Sequence, residues 1–373
     1  MRWDLFCNVV DNFGDIGVSW RLARQLAAEH GAAVRLWVDD LATFGRLAPA
    51  LDPGSGAQSL DGVEVRRWIT PFPAVEPADM VVETFGCELP ASFVEAMAGR
   101  ARSPVWINLE YLSAEPWVGG CHGLPSPHQR LPLTKYFFFP GFVPGTGGVL
   151  VEKGLAARRL AFQSDAGGVA QFLASLGVLP RAHGEQLVSL FCYPEAPVAA
   201  LLDVWATGGR PVRALAFAGT AAADVLAARG LAGGGRVGTL IAQMLPFLSQ
   251  YDYDRVLWSC DWNFVRGEDS FVRAQLAARP LVWQAYPQAG DAHRLKVEAF
   301  LARYLEHAGP GTSANLAKLW AVWNGFAAVD GLAAAWTACS GPEYRELAQA
   351  WEQRLAGPGD LAGNLAKFCA ERL

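Results

Sequence analysis

The chain has 373 residues, of which 52% are hydrophobic and 18% charged, and this apolar content excludes a disordered protein. Lys and Arg number 31 against 36 Asp and Glu, giving a net charge of −5, so the sequence lacks the basic surface of a nucleic-acid-binding protein. Because a single hydrophobic core rarely keeps growing to this length, we expect two domains.

The start of the chain has a strand pattern, with no charged leader followed by an apolar run, and no apolar stretch reaches membrane-spanning length. We therefore expect neither a signal peptide nor a membrane span. Seven cysteines are scattered without CxxC spacing, which is typical of reduced thiols. The first expectation is a soluble, cytoplasmic enzyme.

In the first half, short apolar runs such as WDLFCNVV, DMVVETF and PVWINLE alternate with amphipathic stretches such as IGVSWRLARQLAAEHG. This alternation predicts βαβ units with a parallel sheet, and we place this Rossmann-like domain at residues 1–155. A glycine-rich stretch interrupts the pattern at 144–168, where we expect the interdomain connection.

The second half restarts the alternation at QLVSLFCY and carries it through PVRALAFA, DRVLWSCDWNFV and LVWQAY, predicting a second Rossmann-like domain at 168–356. Helical patterns follow residue 291, and we expect the last helix, at about 357–373, to pack back on the first domain. Open α/β sheets bind ligands at the carboxyl ends of their strands, so we expect the active site in a cleft between the domains.

The first candidate site is DNFGDIG at 11–17, between the first strand and the first helix. Its glycines allow close backbone approach, and the carboxylates of Asp11 and Asp15 would repel a phosphate but suit a base that takes or orients a proton. The alternative is that Asp15 caps the helix and Asp11 is a turn residue. This segment lacks the GxGxxG pattern of a dinucleotide binder, and GxxxxGK[ST] occurs nowhere in the sequence, which disfavours a dinucleotide-dependent oxidoreductase and a P-loop NTPase.

The second candidate site is DWNFVRGEDSF at 261–271, where a strand passes through a polar turn into a helix. Ser270, the amides that follow it and Arg266 predict a seat for a diphosphate. Glu268 and Asp269 stand where ribose or sugar hydroxyls need acceptors. The alternative is an ordinary helix cap with surface charges.

The third candidate set consists of aromatic and amide side chains at predicted strand ends: Phe191, Tyr193, Phe247, Gln250, Gln284 and Tyr286. A pyrimidine base needs an aromatic face and an amide edge, although each such aromatic, taken singly, is more often a core residue. The histidine pair His122 and His128 has no carboxylate at ligand spacing, so we expect a structural or solvent role and no metal.

Five blocks of the sequence resemble the bacterial protein-arginine rhamnosyltransferases of elongation factor P, the EarP family: DNFGDIG, INLEYLSAE, GLPSPHQR, KYFFFPGF and LWSCDWNFVRGEDSFVRAQ. The resemblance spans nearly the whole chain. It implies a GT-B architecture, in which two Rossmann-like domains with parallel sheets face each other across a cleft. It also implies metal-independent transfer of L-rhamnose, with inversion, from dTDP-β-L-rhamnose to one arginine of elongation factor P, the factor that rescues ribosomes stalled on proline runs.

The resemblance assigns the acceptor and the base to the first domain and the donor to the second. Asp15 would be the catalytic carboxylate or general base, Asp11 would support it, and Glu268 would be essential at the reaction centre. The implied donor contacts are Gly14, Phe191, Tyr193, Phe247, Gln250, Arg266, Asp269, Ser270, Gln284 and Tyr286. Two alternatives are a non-catalytic translation-associated binding module and a glycoside hydrolase that uses Asp15 and Glu268 as its acid and base.

Overall fold

Two compact units make up the chain in the computed structural model, which describes residues 1–11, 13–288, 290 and 292–373. The first unit comprises Met1–Lys153 together with Leu355–Leu373, and the second comprises Gly154–Arg354. Each unit is built around its own β-sheet, with helices in the connections between the strands.

The first unit contains eight strands: β1 (Arg2–Cys7), β2 (Ala33–Val38), β3 (Ala57–Leu60), β4 (Val63–Arg67), β5 (Met80–Thr84), β6 (Val105–Leu109), β7 (Pro125–Pro127) and β8 (Thr134–Phe138). Their spatial order is β3-β4-β2-β1-β5-β6-β8-β7. The six inner strands are parallel, whereas the edge strands β3 and β7 pair antiparallel with their neighbours. The helices of this unit are α1 (Gly14–His30), α2 (Leu41–Leu47), α3 (Ala91–Ala98), α4 (Val118–Cys121) and α15 (Leu361–Ala370).

The central strands of this sheet are covered on both faces. All five residues of β5 and all five of β6 are buried, as expected for parallel strands with helices on either side. Trp20 and Leu26 of α1 pack in the core on one face. Phe93 of α3 packs against Phe6 on the opposite face, with ring centroids 4.9 Å apart.

Helix α15 belongs to the first unit although it follows the second unit in the chain. Leu361, Leu365 and Cys369 lie in the same core as α1. The Asp360 carboxylate caps α15 by accepting from the Gly363 amide at 2.8 Å, and it also accepts from the Val151 amide at 3.1 Å. Helix α15 thus completes the hydrophobic core of the first unit.

The second unit contains six strands: β9 (Gln186–Leu190), β10 (Val212–Phe217), β11 (Gly235–Val237), β12 (Leu240–Leu245), β13 (Trp262–Arg266) and β14 (Leu281–Gln284). Their order is β11-β12-β10-β9-β13-β14, and the edge strand β11 alone pairs antiparallel among the described strands of this sheet. The helices are α5 (Leu155–Ser164), α6 (Ala166–Ser175), α7 (Val198–Thr207), α8 (Ala221–Ala228), α9 (Gln250–Ser259), α10 (Asp269–Leu276), α11 (Ala292–Tyr304), α12 (Pro310–Trp323), α13 (Leu332–Ala338) and α14 (Glu343–Arg354).

The predicted α/β class with two parallel-dominated sheets is confirmed. The antiparallel edge strands are an addition that the sequence pattern does not predict. The apolar run DRVLWS belongs to α9, which Ser249 caps by accepting from the Asp252 amide at 3.2 Å, and β13 begins after it. Across the described residues, none of the helices is both long and apolar enough to cross a membrane.

Candidate active site

The first candidate loop leads from β1 into α1, and its geometry centres on Asp15. This side chain lies in the first turn of α1 and is only 2% exposed. Its Oδ2 accepts hydrogen bonds from the backbone amides of Val10 at 2.9 Å and Asp11 at 2.8 Å. The N-cap residue of α1 is Phe13, so Asp15 holds the loop that precedes the helix and is not the cap. Asn12, within the same block, lies outside the described residues.

Gly14 brings Asp11 close to the start of α1. A Cβ at Gly14 would lie 2.7 Å from Asp11 Oδ2, and the Gly14 amide donates to the Asp11 carbonyl oxygen at 2.7 Å. A glycine at this position therefore lets the Asp11 carboxylate lie directly against the first residue of the helix. The structure brings Asp11, Gly14 and Asp15 together as a single acidic loop.

Tyr111 is a residue of this site that the sequence did not single out, although it lies in the block INLEYLSAE. It follows β6, and its hydroxyl donates to Asp15 Oδ1 at 3.2 Å. Phe85, which follows β5, stacks on the Tyr111 ring with centroids 4.4 Å apart and planes 16° apart. Because β1, β5 and β6 are neighbours in the sheet, their exit loops meet at one edge.

In the second unit, the residues predicted to contact a donor lie at the carboxyl ends of four parallel strands. Phe191 and Tyr193 follow β9, Phe247 and Gln250 follow β12, Arg266 ends β13, and Gln284 ends β14 with Tyr286 close behind. The turn from β13 to α10 adds Glu268, Asp269 and Ser270. The ten residues thus share one edge of the sheet, which is the ligand-binding edge of open α/β folds.

Arg266 is the centre of the aromatic part of this set. Its guanidinium carbon lies 4.6 Å from the ring centroid of Phe191 and 4.4 Å from that of Tyr193. Tyr286 meets Tyr193 edge to face at 5.4 Å and is 55% exposed. Cation–π contacts of this kind orient the guanidinium.

Gln284 is 3% exposed and its Oε1 accepts from the Tyr193 amide at 2.7 Å. In this structure its amide fixes the loop that follows β9 and thereby positions Tyr193. The same pattern occurs at Gln250, which is 5% exposed and donates through Nε2 to Asp269 Oδ2 at 3.2 Å. Both glutamines thus organise neighbouring members of the candidate set.

The turn into α10 presents a helix amino terminus to the same edge. Gly267 adopts a φ of 66°, which lets the chain reverse before Glu268, the N-cap residue. The Glu268 side chain does not cap α10, and the Ser270 hydroxyl donates to the Arg266 carbonyl oxygen. The positive end of the helix dipole and Arg266 therefore lie together, an arrangement that favours an anionic ligand.

Tyr253 of α9 is a second residue that the sequence did not single out. Its ring packs edge to face with Phe191 at 6.0 Å. Burial raises the pKa of the Tyr253 hydroxyl, and the neighbouring Ser270 side chain offsets part of this rise. A neutral tyrosine therefore backs both Phe191 and Ser270. The cap sequence SQYDYD, which places Tyr253 in the first turn of α9, was the signal that could have identified it.

Within the described ranges, no group of three or more His, Cys, Asp or Glu side chains has a geometry that could hold a metal ion. The His122 ring nitrogen Nδ1 lies 3.1 Å from the backbone amide nitrogen of Phe139, and burial lowers the pKa of this histidine. His128 Nδ1 accepts from the backbone amides of Arg130 and Leu131 at 3.2 and 3.1 Å. These contacts bind both rings to loop backbone.

The model of the family "Elongation-Factor P (EF-P) rhamnosyltransferase EarP" matches residues 3–370. A protein-arginine rhamnosyltransferase of Pseudomonas aeruginosa strain PAO1 is 50% identical over 384 aligned residues, covering 100% of this chain and 99% of the relative. The chain belongs to the EarP family. A protein of the same name from Pseudomonas putida KT2440 is 49% identical to this EarP-family chain, and the alignment covers 98% of each of the two chains.

A solved structure extends this result to the fold. It comes from work on the structural basis for EarP-mediated arginine glycosylation of translation elongation factor EF-P. It matches with a TM-score of 0.70 and 37% identity, covering 100% of this chain and 99% of that chain. Acinetobacter baumannii MurG, at 12% identity and a TM-score of 0.52, shares the fold over 99% of each chain. This EarP-family chain is therefore a glycosyltransferase of the GT-B class, as the resemblance implied.

Proposed function

We propose that this EarP-family chain transfers L-rhamnose from dTDP-β-L-rhamnose to an arginine side chain of elongation factor P, with inversion at the anomeric carbon. The observation that carries the proposal is the buried Asp15 carboxylate, held by two backbone amides at the exit of β1, in a chain whose relatives are named protein-arginine rhamnosyltransferases. The product would be an α-linked rhamnosyl-arginine.

The acceptor chemistry explains why a carboxylate stands at this position. An arginine guanidinium has a pKa above about 12 and delocalised nitrogen lone pairs, so it is a poor nucleophile without help. Asp15 would bind the guanidinium, localise electron density on one nitrogen and receive a proton from it. That nitrogen forms the bond to the anomeric carbon as the bond from this carbon to the diphosphate oxygen breaks. Asp11, beside it, would contribute further negative charge.

The donor would bind the second unit through its diphosphate and its base. Arg266 and the first amides of α10, including that of Ser270, would compensate the charge that develops on the leaving diphosphate. The base would lie against the aromatic residues at the strand ends, Phe191, Phe247 and Tyr286. Gln250 and Asp269 would contact the ribose, and Glu268 the reacting sugar. These residues supply the charge compensation without a metal ion.

The proposed acceptor places the reaction in the cytoplasm, where translation factors act. Modified elongation factor P would support the synthesis of proline runs. This role follows from the identity of the acceptor and belongs to the proposal.

The experiment that tests the proposal is intact-mass measurement of elongation factor P after incubation with the protein and dTDP-β-L-rhamnose. The expected result is a mass increase of one deoxyhexose, located on an arginine by peptide fragmentation. A non-catalytic binding module would consume no donor. A glycoside hydrolase would release free rhamnose and leave the acceptor unchanged. Either of these results would overturn the proposal.

Variants of both units separate the proposed roles. Asp15→Asn is expected to abolish transfer while calorimetric binding of dTDP stays nearly intact. Ser270→Ala and Phe247→Ala are expected to weaken dTDP binding. If Asp15→Asn lost nucleotide binding but kept full turnover at saturating donor, the assignment of roles would be wrong.

A further inference from the structure

The two oxygens of the Asp15 carboxylate have different partners. Oδ2 accepts from two backbone amides of its own loop, those of Val10 and Asp11, at 2.9 and 2.8 Å. Oδ1 accepts from the side chain of Tyr111 at 3.2 Å, and this residue is 96 positions away in the chain. The backbone thus holds one oxygen from the loop, and the Tyr111 hydroxyl fixes the rotation of the carboxyl plane from the other side.

The Tyr111 ring is itself fixed by Phe85. The two rings lie nearly parallel, with centroids 4.4 Å apart. Phe85 reaches this position because its backbone adopts a φ of 59°, in the left-handed region that residues other than glycine rarely occupy. Its amide donates to the Leu109 carbonyl oxygen at 2.7 Å, which joins the exit of β5 to the exit of β6. Unusual backbone of this kind persists only where the surrounding structure holds it in place, and it clusters at functional sites.

The buried end of α1 completes the support. Ser19 Oγ lies 2.8 Å from the Asp15 carbonyl oxygen and 3.2 Å from Thr84 Oγ1. The Thr84 hydroxyl donates to the Phe6 carbonyl oxygen at 2.8 Å. The backbone of Asp15 is therefore connected to β1 and β5 through buried hydrogen bonds. Its side chain is held by Tyr111, which is 40% exposed.

We propose that Tyr111, backed by Phe85, is a positioning residue that orients the Asp15 carboxylate toward the acceptor guanidinium. The inference rests on the proposed function, because it assigns Asp15 the role of base. A base must present its oxygen within hydrogen-bond reach of the proton that it takes, and a small rotation of the carboxyl plane disrupts the alignment. Tyr111 acts through Asp15 and forms no bond in the reaction.

Tyr111→Phe tests this role, because it removes the hydroxyl and keeps the ring that stacks on Phe85. We expect kcat for transfer to elongation factor P to fall by about tenfold or more, since a positioned general base contributes about 10²- to 10⁴-fold. The KM for the acceptor and the affinity for dTDP are expected to change by less than about twofold. An unchanged kcat would overturn the positioning role, whereas absence of transfer by the wild-type protein would instead overturn the proposed function.

The matched control is Tyr344→Phe. Its hydroxyl donates to the Ala338 carbonyl oxygen at 3.1 Å in the second unit, so this variant also loses one tyrosine hydroxyl bond. It is expected to keep the wild-type kcat. A fall in kcat equal to that of Tyr111→Phe would show a general effect of losing such a bond and would contradict the inference.

The coupling between Phe85 and Tyr111 provides a second readout that purely structural damage would not produce. Phe85→Ala is expected to lower kcat, and Phe85→Tyr, which keeps a stacking ring, to retain most of it. Adding Phe85→Ala to Tyr111→Phe should cause little further loss, because Phe85 acts through the hydroxyl that is already absent. Fully additive losses would exclude this route. If Tyr111→Phe failed to fold, the contrast between Phe85→Ala and Phe85→Tyr would decide the matter.

Discussion

Arg273 and Asp254 form a bidentate ion pair inside the second unit, with Nε to Oδ1 at 3.0 Å and Nη2 to Oδ2 at 2.7 Å. Their side chains are 2% and 5% exposed. The pair joins α9 to α10, whose first residues, Gln250 and Asp269, are both members of the candidate donor set. The position of the donor site therefore depends on an interaction one turn behind it.

Removing one partner of this pair takes the paired opposite charge away from a buried side chain. Asp254→Ala is expected to lower the free energy of unfolding by about 3–5 kcal/mol. It should also weaken dTDP binding, because α10 loses its attachment to α9. Urea unfolding and calorimetry measure the two effects.

The control for this prediction is Glu298→Ala. Glu298 pairs with Arg294 on the surface of α11, and both side chains are 52% exposed. Its removal is expected to change the free energy of unfolding by less than about 1 kcal/mol. Equal effects of the two variants would show that burial does not set the strength of the Asp254 pair.

Arg266 provides a prediction about the donor diphosphate. Arg266→Ala removes the guanidinium that lies over Phe191 and Tyr193, and we expect dTDP affinity to fall by about 10- to 100-fold, the loss typical of a hydrogen bond to a charged group. Titration calorimetry with dTDP is the measurement. The fold should persist, because Arg266 is partly exposed at the end of a strand.

Arg255→Ala is the matched variant, since Arg255 also stacks on aromatic rings in the second unit. Its guanidinium carbon lies 3.9 Å from the ring centroid of Phe172. Arg255 lies on α9 and not at a strand exit. Its dTDP affinity is expected to stay within about twofold of the wild type. If both variants lost a comparable amount of dTDP affinity, the cause would be loosened packing. The loss of a phosphate contact by Arg266 would then not explain the weaker binding.

Gly14→Ala is predicted to separate activity from stability. The new Cβ would lie 2.7 Å from Asp11 Oδ2, a distance that forces a shift. Because that oxygen is the end of a flexible side chain, Asp11 can move aside and the helix gains a better helix former. We expect the free energy of unfolding to change by less than about 1 kcal/mol, because the gain in helix propensity is of that size. Transfer to elongation factor P is expected to fall.

The corresponding control is Gly120→Ala in α4, where an added Cβ meets no heavy atom within 4 Å. It should leave both stability and transfer near the wild-type values. If Gly14→Ala transferred rhamnose at the wild-type rate, the position of Asp11 would be irrelevant to the reaction.

The thiols provide a prediction that does not depend on the proposed function. Burial raises the pKa of the thiols of Cys7, Cys87, Cys192, Cys260, Cys339 and Cys369. For Cys87, Cys192 and Cys369 the pKa rises to about 12. Since the thiolate is the nucleophile, iodoacetamide at pH 8 should alkylate the native protein at Cys121, the half-exposed thiol.

Peptide mapping reads out this result, and Cys121→Ser should remove the single adduct. The same reagent in concentrated urea should alkylate all seven cysteines. Cys192 lies in the loop that follows β9, next to Phe191. Rapid alkylation of Cys192 in the native protein would show that this loop opens in solution.

The sequence predicted the parallel sheets well, because fully buried strands such as β5 leave a short apolar run that alternates with amphipathic helices. It failed where an apolar run fits two structures. DRVLWSC was grouped with the following strand, although its first six residues belong to the helix that Ser249 caps. The strand β7 was missed because it contains Pro125 and Pro127, which a sheet tolerates only at an edge.

At the candidate site, spacing located the two loops but could not assign their contacts. Asp15 could be placed at a strand exit, yet its partner Tyr111 depends on the strand order β1-β5-β6, which no local pattern encodes. Gln284 could be recognised as polar at a strand end. Whether its amide faces a ligand or the Tyr193 backbone depends on the neighbouring loop, and the structure has it on the backbone.

The return of α15 to the first unit bears on how the protein is made. The second unit is a continuous segment of chain, whereas the core of the first includes Leu361, Leu365 and Cys369. On the ribosome, residues 154–354 can reach their native packing while the earlier-synthesised β-sheet still exposes the apolar surface that α15 will cover. The core of the first unit can therefore be completed only after the second unit has been synthesised, the reverse of the usual order, in which the amino-terminal domain is completed first.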